Sequence, residues 1–233
     1  MIKTCAVILA GGSGSRMESS TPKAFLKLND LYMLEYSILK FSENDYIHEI
    51  QLVVPKEYLM LTNEIISQKN YSKVKNIHKG GENRFESSQI GISLVKDPGS
   101  KILIHDAARP FISHSLINKV ITELEHHEAV NVLLNMNDSL VELDSGTIKQ
   151  TVARENIKRV QTPQGFRKKT LLLAHDKAKD TPIEQITDDF NLVREHLEVK
   201  SSWVQGSALN FKITYAEDLL IAQGIAHHFQ AID

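Results

Sequence analysis

A single cysteine, Cys5, excludes an intramolecular disulfide and any cysteine-rich zinc site, and it points to a reducing compartment. An excess of charge of either sign is also missing. The 27 Lys plus Arg nearly balance 29 Asp plus Glu, and a formal net charge of −2 offers no global attraction to nucleic acid or to an anionic membrane. Long apolar runs are absent as well. The N-terminal stretch Cys5 to Ala10 stops at Gly11-Gly12, too short for the core of a secretion signal and far below a membrane span. These absences predict a soluble, cytoplasmic protein that binds neither nucleic acid nor membrane. No internal repeat, low-complexity tract or Pro/Ser linker marks a boundary, so residues 1–233, 42% of them hydrophobic, read as a single domain with a sizeable core.

The apolar residues are arranged in short continuous blocks. Thr4 to Leu9 reads as a strand buried on both faces, and similar runs recur at Ile50 to Val54, Lys101 to Ile104 and Val130 to Leu134. Helical periodicity separates them, at Leu34 to Phe41, Glu57 to Ser67, Phe85 to Val95 and Leu116 to Leu124. Strands alternating with helices predict right-handed βαβ crossovers and an open α/β sheet covered on both faces. The pattern changes near 137–154. Ser139 to Leu143 and Thr147 to Val152 flank the turn signal Asp144-Ser145-Gly146, which predicts a β-hairpin arm that projects and seeks a partner surface, most simply a second copy of the chain. Helices follow around Lys169 to Lys177 and Asp188 to His196, then an extended piece, Lys200 to Val204, and a final helix from Ala216 to His228.

Directly after the first strand comes Leu9-Ala10-Gly11-Gly12-Ser13-Gly14-Ser15-Arg16-Met17, with Pro22-Lys23 beyond. Loops after the carboxyl ends of parallel strands are where open α/β sheets bind ligands, and glycines there let backbone N–H groups approach a phosphate chain. No Gly-Lys-Ser/Thr ends this loop and Met17 stands where a dinucleotide fingerprint has its third glycine, so it is neither of those common nucleotide loops. With Arg16 and Lys23, the run resembles the signature of sugar-phosphate nucleotidyltransferases.

A second strand ends in Ile104-His105-Asp106-Ala107-Ala108-Arg109-Pro110, a place where a carboxylate can meet a metal or a substrate hydroxyl, or can simply cap a turn and pair with Arg109. This segment resembles one family, the 2-C-methyl-D-erythritol 4-phosphate cytidylyltransferases. The resemblance runs on through Gly80-Gly81-Glu82-Asn83-Arg84 with Ser87, Asp138-Ser139, Arg154, Gln161-Thr162-Pro163-Gln164, Thr187-Asp188-Asp189 and Asn210-Phe211-Lys212-Ile213-Thr214. It implies a Rossmann-like, mostly parallel sheet with helices on both faces and a projecting β-hairpin arm, of the nucleotide-diphospho-sugar transferase type. It also implies a homodimer in which each arm reaches its partner's active site.

The implied reaction is attack of a sugar-alcohol phosphate on the α-phosphorus of CTP, with release of pyrophosphate. A phosphate monoester is mostly ionised at neutral pH and needs no protein base, which suits a set of Arg and Lys instead of a Cys–His or Ser–His pair. By resemblance, Arg16, Lys23, Arg154 and Lys212 are the catalytic cations: the first two hold the triphosphate, and the others position the acceptor, Arg154 from the other subunit. The nucleotide and substrate contacts fall to Ala10, Gly11, Gly12, Gly14, Gly81, Glu82, Arg84, Ser87, Asp106, Ala107, Arg109, Ser139, Thr162 and Thr187, with Gly81, Glu82 and Ser87 reading cytosine. Mg²⁺ is the implied metal, carried mainly by the CTP phosphates, with Asp106 either ligating it or holding a substrate hydroxyl.

The loop form Ala10-Gly11-Gly12 is also that of the related ribitol-5-phosphate cytidylyltransferases, and Ser139 replaces the family's usual Thr. The same chemistry on ribitol 5-phosphate, for cell-surface polymers, is therefore an alternative, and a noncatalytic nucleotide-binding protein a more remote one. No Asp-x-Asp is present, which argues against the metal clamp of nucleotide-sugar glycosyltransferases. The pairs His126-His127 and His227-His228 point about 100° apart on a helix and do not converge as ligands, and Cys5 reads as a small core residue.

Overall fold

A computed structural model describes residues 2–11, 21–182 and 185–232; Gly12, Gly14 and Arg16 of the glycine loop lie outside the described residues. In chain order the elements are β1 (Thr4–Leu9), β2 (Lys27–Leu28), β3 (Leu31–Tyr32), α1 (Met33–Glu43), β4 (Glu49–Val54), α2 (Leu59–Lys69), β5 (Val74–Lys79), α3 (Arg84–Ser93), β6 (Lys101–Asp106) and α4 (His114–Glu123). After them come β7 (Ala129–Asn135), β8 (Leu140–Asp144), β9 (Thr147–Val152), β10 (Lys158–Arg167), α5 (Lys168–Lys177), α6 (Asp189–His196), β11 (Ser201–Gln205) and α7 (Ala216–Ala226).

Seven strands form the central sheet in the order β11-β7-β10-β6-β1-β4-β5. β10 runs antiparallel to both neighbours, and every other pairing is parallel. The buried strand β1 shows why a continuous apolar run was needed. Ala6 and Ile8 face one core, with Leu34, Ile38 and Phe41 of α1 and Ile117 and Val120 of α4. Cys5, Val7 and Leu9 face the other, with Ile92 of α3, Leu171 and Ala174 of α5 and Val193 of α6. A third cluster joins α7 and the small β2–β3 hairpin through Leu28, Met33, Tyr36, Phe111, Ile213 and Phe229.

The arm is as the turn signal predicts. β8 and β9 form their own two-stranded sheet, joined through Ser145 at φ 49° and Gly146 at φ 84°, both in the left-handed region that a tight hairpin turn demands. Val141, Leu143 and Ile148 are 49, 61 and 70% exposed on it.

Two strands of the central sheet escape the sequence pattern, as does the short β2–β3 hairpin. β10, Lys-Arg-Val-Gln-Thr-Pro-Gln-Gly-Phe-Arg, carries Pro163 and Gly165 in its centre, and it tolerates them because its register with β7 shifts between Gln161 and Gly165. β5 is an edge strand with one neighbour, and its two half-buried apolar residues, Val74 and Ile77, stand among exposed polar ones. The helix predicted from Glu57 starts instead at Leu59, after a 3₁₀ turn at Lys56–Tyr58. The last helix, predicted to reach His228, ends at Ala226; a separate 3₁₀ turn at Phe229–Ala231 follows, and the buried Lys40 Nζ donates to Ile232 O at 2.6 Å to draw the tail onto α1. No helix of the described residues is long and apolar enough to cross a membrane.

Packing of α3 on the sheet depends on one missing side chain. A Cβ at Gly91 would lie 2.3 Å from Val7 Cγ1 and 3.1 Å from Val53 Cγ2, both on buried strands that cannot retreat. Gly91→Ala is expected to lower stability by about 1–3 kcal/mol despite its better helix propensity, a fall of roughly 2–10 °C in thermal midpoint. A midpoint unchanged in a calorimetric scan would show that α3 can lift off β1 without cost.

Candidate active site

Three strand ends converge. Leu9 at the end of β1 is in register with Asp106 at the end of β6, and Ala107 N donates to Leu9 O at 2.9 Å, so the start of the glycine loop and the His105-Asp106-Ala107 segment are neighbours. On the other side Ala10 N donates to Val53 O at 2.8 Å and Gly80 N to Val54 O at 2.8 Å, bringing the Gly80–Ser87 segment to the same edge. A parallel sheet places its ligand crevice at these carboxyl ends.

The Gly80–Ser87 segment is held by its own polar groups. Asn83 caps α3 by accepting from Glu86 N at 2.9 Å, while Glu82 N donates to Glu86 Oε2 at 2.9 Å. Gly81 N donates to Ser87 Oγ at 3.1 Å, and that hydroxyl donates to Asn83 O at 2.9 Å. A Cβ at Gly81 would stand 2.3 Å from Glu86 Cβ, so glycine permits the turn, and Gly11 of the first loop lies near Ser87 Oγ.

Asp106 is the centre of the charged cluster. Its Oδ1 accepts from Arg84 Nε at 3.2 Å and its Oδ2 from Lys212 Nζ at 2.8 Å. The pairing with Arg109 that sequence proximity allowed does not occur: Arg109 is buried and donates from Nη1 to Asn210 O at 2.9 Å and from Nη2 to Val160 O at 3.1 Å. Arg84 is shared, because its Nη1 also donates to Asp189 Oδ2 at 2.6 Å, and its Nη2 is buried with no partner. Ser88 donates to the other Asp189 oxygen. Burial alone would raise both carboxyl pKa values. The cations reverse it: Arg84, Lys212 and Arg109 hold Asp106 well below the usual carboxylate range, and Arg84 with His175 and Ser88 holds Asp189 down to about 2.

Lys23, in the 3₁₀ turn Lys23–Phe25, reaches the same neighbourhood. Its Nζ donates to Thr214 O at 2.6 Å, next to Lys212, while Ile213 N donates to Ala108 O at 2.9 Å. The structure thus brings together Ala10, Gly11, Lys23, Gly81, Glu82, Arg84, Ser87, Asp106, Ala107, Arg109 and Lys212, with Thr162 Oγ1 beneath them accepting from Asp106 N at 3.1 Å and lying 3.2 Å from His105 Nδ1. Three predicted residues stand apart from this cluster. Arg154 and Ser139 are exposed at the base of the arm, where Arg154 Nη1 donates to Asn137 O at 2.5 Å, and Thr187 is exposed just before Asp188, the N-cap of α6. Asp189 stands in the Thr187-Asp188-Asp189 motif but not among the expected contacts, and the fold adds it to the site through Arg84; its signal is a second acid directly before an apolar helix. Among the described residues no group of three or more His, Cys, Asp or Glu could hold a metal ion.

An open α/β sheet with a glycine loop at one strand end and a caged carboxylate between basic side chains at the next defines a nucleotidyltransferase. Within that class the assignment is narrow. The family model for 2-C-methyl-D-erythritol 4-phosphate cytidylyltransferase matches residues 4–228, and the chain belongs to that family. It is 36% identical to the enzyme of that name from Caldicellulosiruptor saccharolyticus over 228 residues, covering 98% of this chain and 99% of the relative. The relative from Clostridium tetani is also 36% identical, over 99% of this chain and 93% of its own. Among solved structures, 4-diphosphocytidyl-2C-methyl-D-erythritol synthase from Anaerococcus prevotii superposes with a TM-score of 0.83 at 28% identity, covering 97% of this chain and 96% of that one. The cytidylyltransferase from Thermus thermophilus gives 0.78 at 28% identity over 95% of this chain and 98% of its own.

His105 supplies a pH test of the site. Fully buried beside Asp106, Arg109 and Lys212, it is pushed by desolvation from an ordinary 6.5 down to about 4. Between those two values the unfolded chain takes up a proton that the native imidazole refuses, so stability is full above about 6.5 and falls as pH drops toward 4. The loss is on the order of 3 kcal/mol. Urea unfolding from pH 7.5 to 4 should show it in the wild type and not in His105→Asn; parallel curves would remove the assignment.

Proposed function

We propose that this chain transfers CMP from CTP to 2-C-methyl-D-erythritol 4-phosphate, giving 4-diphosphocytidyl-2-C-methyl-D-erythritol and pyrophosphate in non-mevalonate isoprenoid synthesis. The observation that carries the reading is the Arg84–Asp106–Lys212 cage at the strand end beside the glycine loop, in a chain that aligns with this family from end to end. An oxygen of the acceptor's phosphate forms a bond to the α-phosphorus while the bridging bond to the β-phosphate breaks, and the electron pair leaves with pyrophosphate. No proton has to move. This agrees with the imidazole nearest the cluster, His105, being buried with both ring nitrogens engaged by Arg109 O and Thr162 Oγ1.

What such a reaction demands is charge compensation at fixed positions. Arg16 and Lys23 take the triphosphate; Lys212 and Arg154 take the acceptor phosphate. Ala10, Gly11, Gly12 and Gly14 offer backbone amides to the phosphates, and Gly81, Glu82 and Ser87 frame the base. Asp106 holds Lys212 and Arg84 apart from each other until the anions arrive. Mg²⁺ would come as a companion of the triphosphate, with Asp106 the carboxylate at the strand end that could reach it, since Mg²⁺ commonly takes one or two carboxylates plus substrate phosphates. When bound, it neutralises phosphate charge.

The arm supports a homodimer. A two-stranded hairpin is marginal alone, and the exposed Val141, Leu143 and Ile148 need a cover. A second copy provides it and places Ser139 and Arg154 at the partner's site. The lone, buried Cys5 suits a cytoplasmic protein.

Pyrophosphate release with Mg²⁺ and CTP should be strong with methylerythritol 4-phosphate and weak with ribitol 5-phosphate, ATP, GTP or UTP. Preference for ribitol 5-phosphate would move the chain to polymer synthesis. Lys23→Ala should lose about 10²- to 10³-fold in kcat/KM. Mixing Lys212→Ala with Arg154→Ala, each nearly dead, should restore about a quarter of the activity by subunit exchange if the arm works in trans. An inactive mixture would place Arg154 outside its partner's site.

A further inference from the structure

One buried ionisable side chain has no task in the transfer as derived above. His175 is fully buried on α5, a helix whose Leu171 and Ala174 belong to the apolar core on that face of the sheet. Neither of its ring nitrogens has a hydrogen-bond partner. Its one polar contact among the described residues is with Asp189, whose Oδ1 lies 3.6 Å from Nε2. The face of the imidazole meets the Phe85 ring, 4.5 Å between centroids at 36°. A single side chain of α5 thus touches the first turn of α3 and the first turn of α6, the two helices that supply Arg84 and Asp189.

Packing does not account for an imidazole here. A polar ring in an apolar core is costly unless its nitrogens are bonded, and an apolar side chain would fill the same space without that cost. Asp189 does account for it. Oδ2 of this carboxylate accepts from Arg84 Nη1 at 2.6 Å, Oδ1 accepts from Ser88, and His175 Nε2 stands over the same Oδ1, a few tenths of an ångström beyond hydrogen-bond reach. An ionised carboxylate oxygen can only accept, so Nε2 carries the hydrogen. Asp189 is therefore held from α3 by Ser88 and from α5 by His175. Arg84, which opens α3 directly after the base-framing segment, takes its orientation from a carboxylate that is itself fixed. The acceptor side is a step further away, because Lys212 is held on the other oxygen of Asp106.

We propose that His175 is a positioning residue for nucleotide binding: its Nε2–H, aimed at Asp189 Oδ1, fixes that carboxylate, and the carboxylate fixes the Arg84 guanidinium beside the Gly81–Ser87 frame for the base. Being fully buried, the imidazole acts through Asp189 and Arg84. This rests on the cytidylyl-transfer reading of the site.

The test compares His175→Phe, which keeps a ring against Phe85 and removes the donor, with His175→Gln, whose amide nitrogen can stand in for Nε2. Titration calorimetry with CTP and Mg²⁺, without acceptor, should show the CTP Kd raised about 5- to 20-fold in His175→Phe, the scale of one hydrogen bond to a charged group, and within about threefold of wild type in His175→Gln. In turnover the CTP KM should follow the Kd, while the KM for methylerythritol 4-phosphate stays within about twofold. Unlike kcat, neither quantity depends on the fraction of protein that is folded. A CTP Kd unchanged in His175→Phe, whatever happens to its thermal midpoint, would make the histidine a packing residue and overturn the proposal. Equal impairment of the two variants, or an equal rise in both KM values, would overturn it too. Independently of turnover, nitrogen-15 correlation spectra should show hydrogen on Nε2 of His175 at pH 7; a ring with its hydrogen on Nδ1 alone would refute the contact. Wild-type protein that binds no CTP would instead overturn the transfer reading, and the positioning role with it, while the tautomer still reports on the contact.

Discussion

Everything at this site hangs on one carboxylate held between two cations. Asp106 takes Arg84 on one oxygen and Lys212 on the other, and Arg84 is in turn shared with the buried Asp189. Two acids and two bases in contact make a cluster of zero formal charge, which is why it can sit at the edge of the core before any anion arrives. Removing Arg84 from between Asp106 and the buried Asp189 would leave buried carboxylate charge uncompensated, typically at about 3–5 kcal/mol, whereas the more exposed Lys212 contributes less. The functional consequence follows from the same balance. Arriving phosphates find cations already aimed, with Lys23 docked on the carbonyls beside Lys212.

The fold supplies this set by topology. Arg84 opens α3 and Asp189 opens α6 on one face of the sheet, Asp106 ends β6 and Lys212 lies beyond β11, so four pieces of chain distant in sequence meet at one strand end. β10 makes the meeting possible. Inserted antiparallel between β6 and β7, it delivers Thr162 below Asp106 and Val160 O to Arg109, while its Gly165 avoids a clash that a Cβ would make at 2.5 Å with Val120 Cγ1. A parallel strand there would have needed a crossover and brought different residues to the site's edge.

How much of this the sequence disclosed depends on whether the information is local. β1, β4, β6 and β7 were legible because a strand buried on both faces must be apolar throughout. β10 was not, since Pro163, Gly165 and six polar side chains hide a central strand whose register shift is decided by its neighbours. The same division holds at the site. The residue types around Asp106 could be listed from the motifs, but the nearest base in sequence, Arg109, is committed to two carbonyls, and the true partners lie 22 and 106 positions away. Asp189 escaped selection because its importance comes from Arg84, which only the fold brings to it.

The histidine of the His105-Asp106 pair shows why adjacency to a carboxylate is a poor guide to chemistry. A His beside an Asp invites a general-base reading, yet a reaction whose nucleophile is already ionised gains nothing from one. Here strand alternation turns the two side chains to opposite faces: Asp106 meets Arg84 and Lys212, and His105 goes inward against Phe41, 5.2 Å between ring centroids. What an imidazole offers in that position is a donor and an acceptor at fixed angles in a rigid, neutral ring. Serine or asparagine could supply one of the two contacts, but neither spans from Thr162 to the Arg109 carbonyl. Geometry, not acidity, is the property for which this fold uses its histidine.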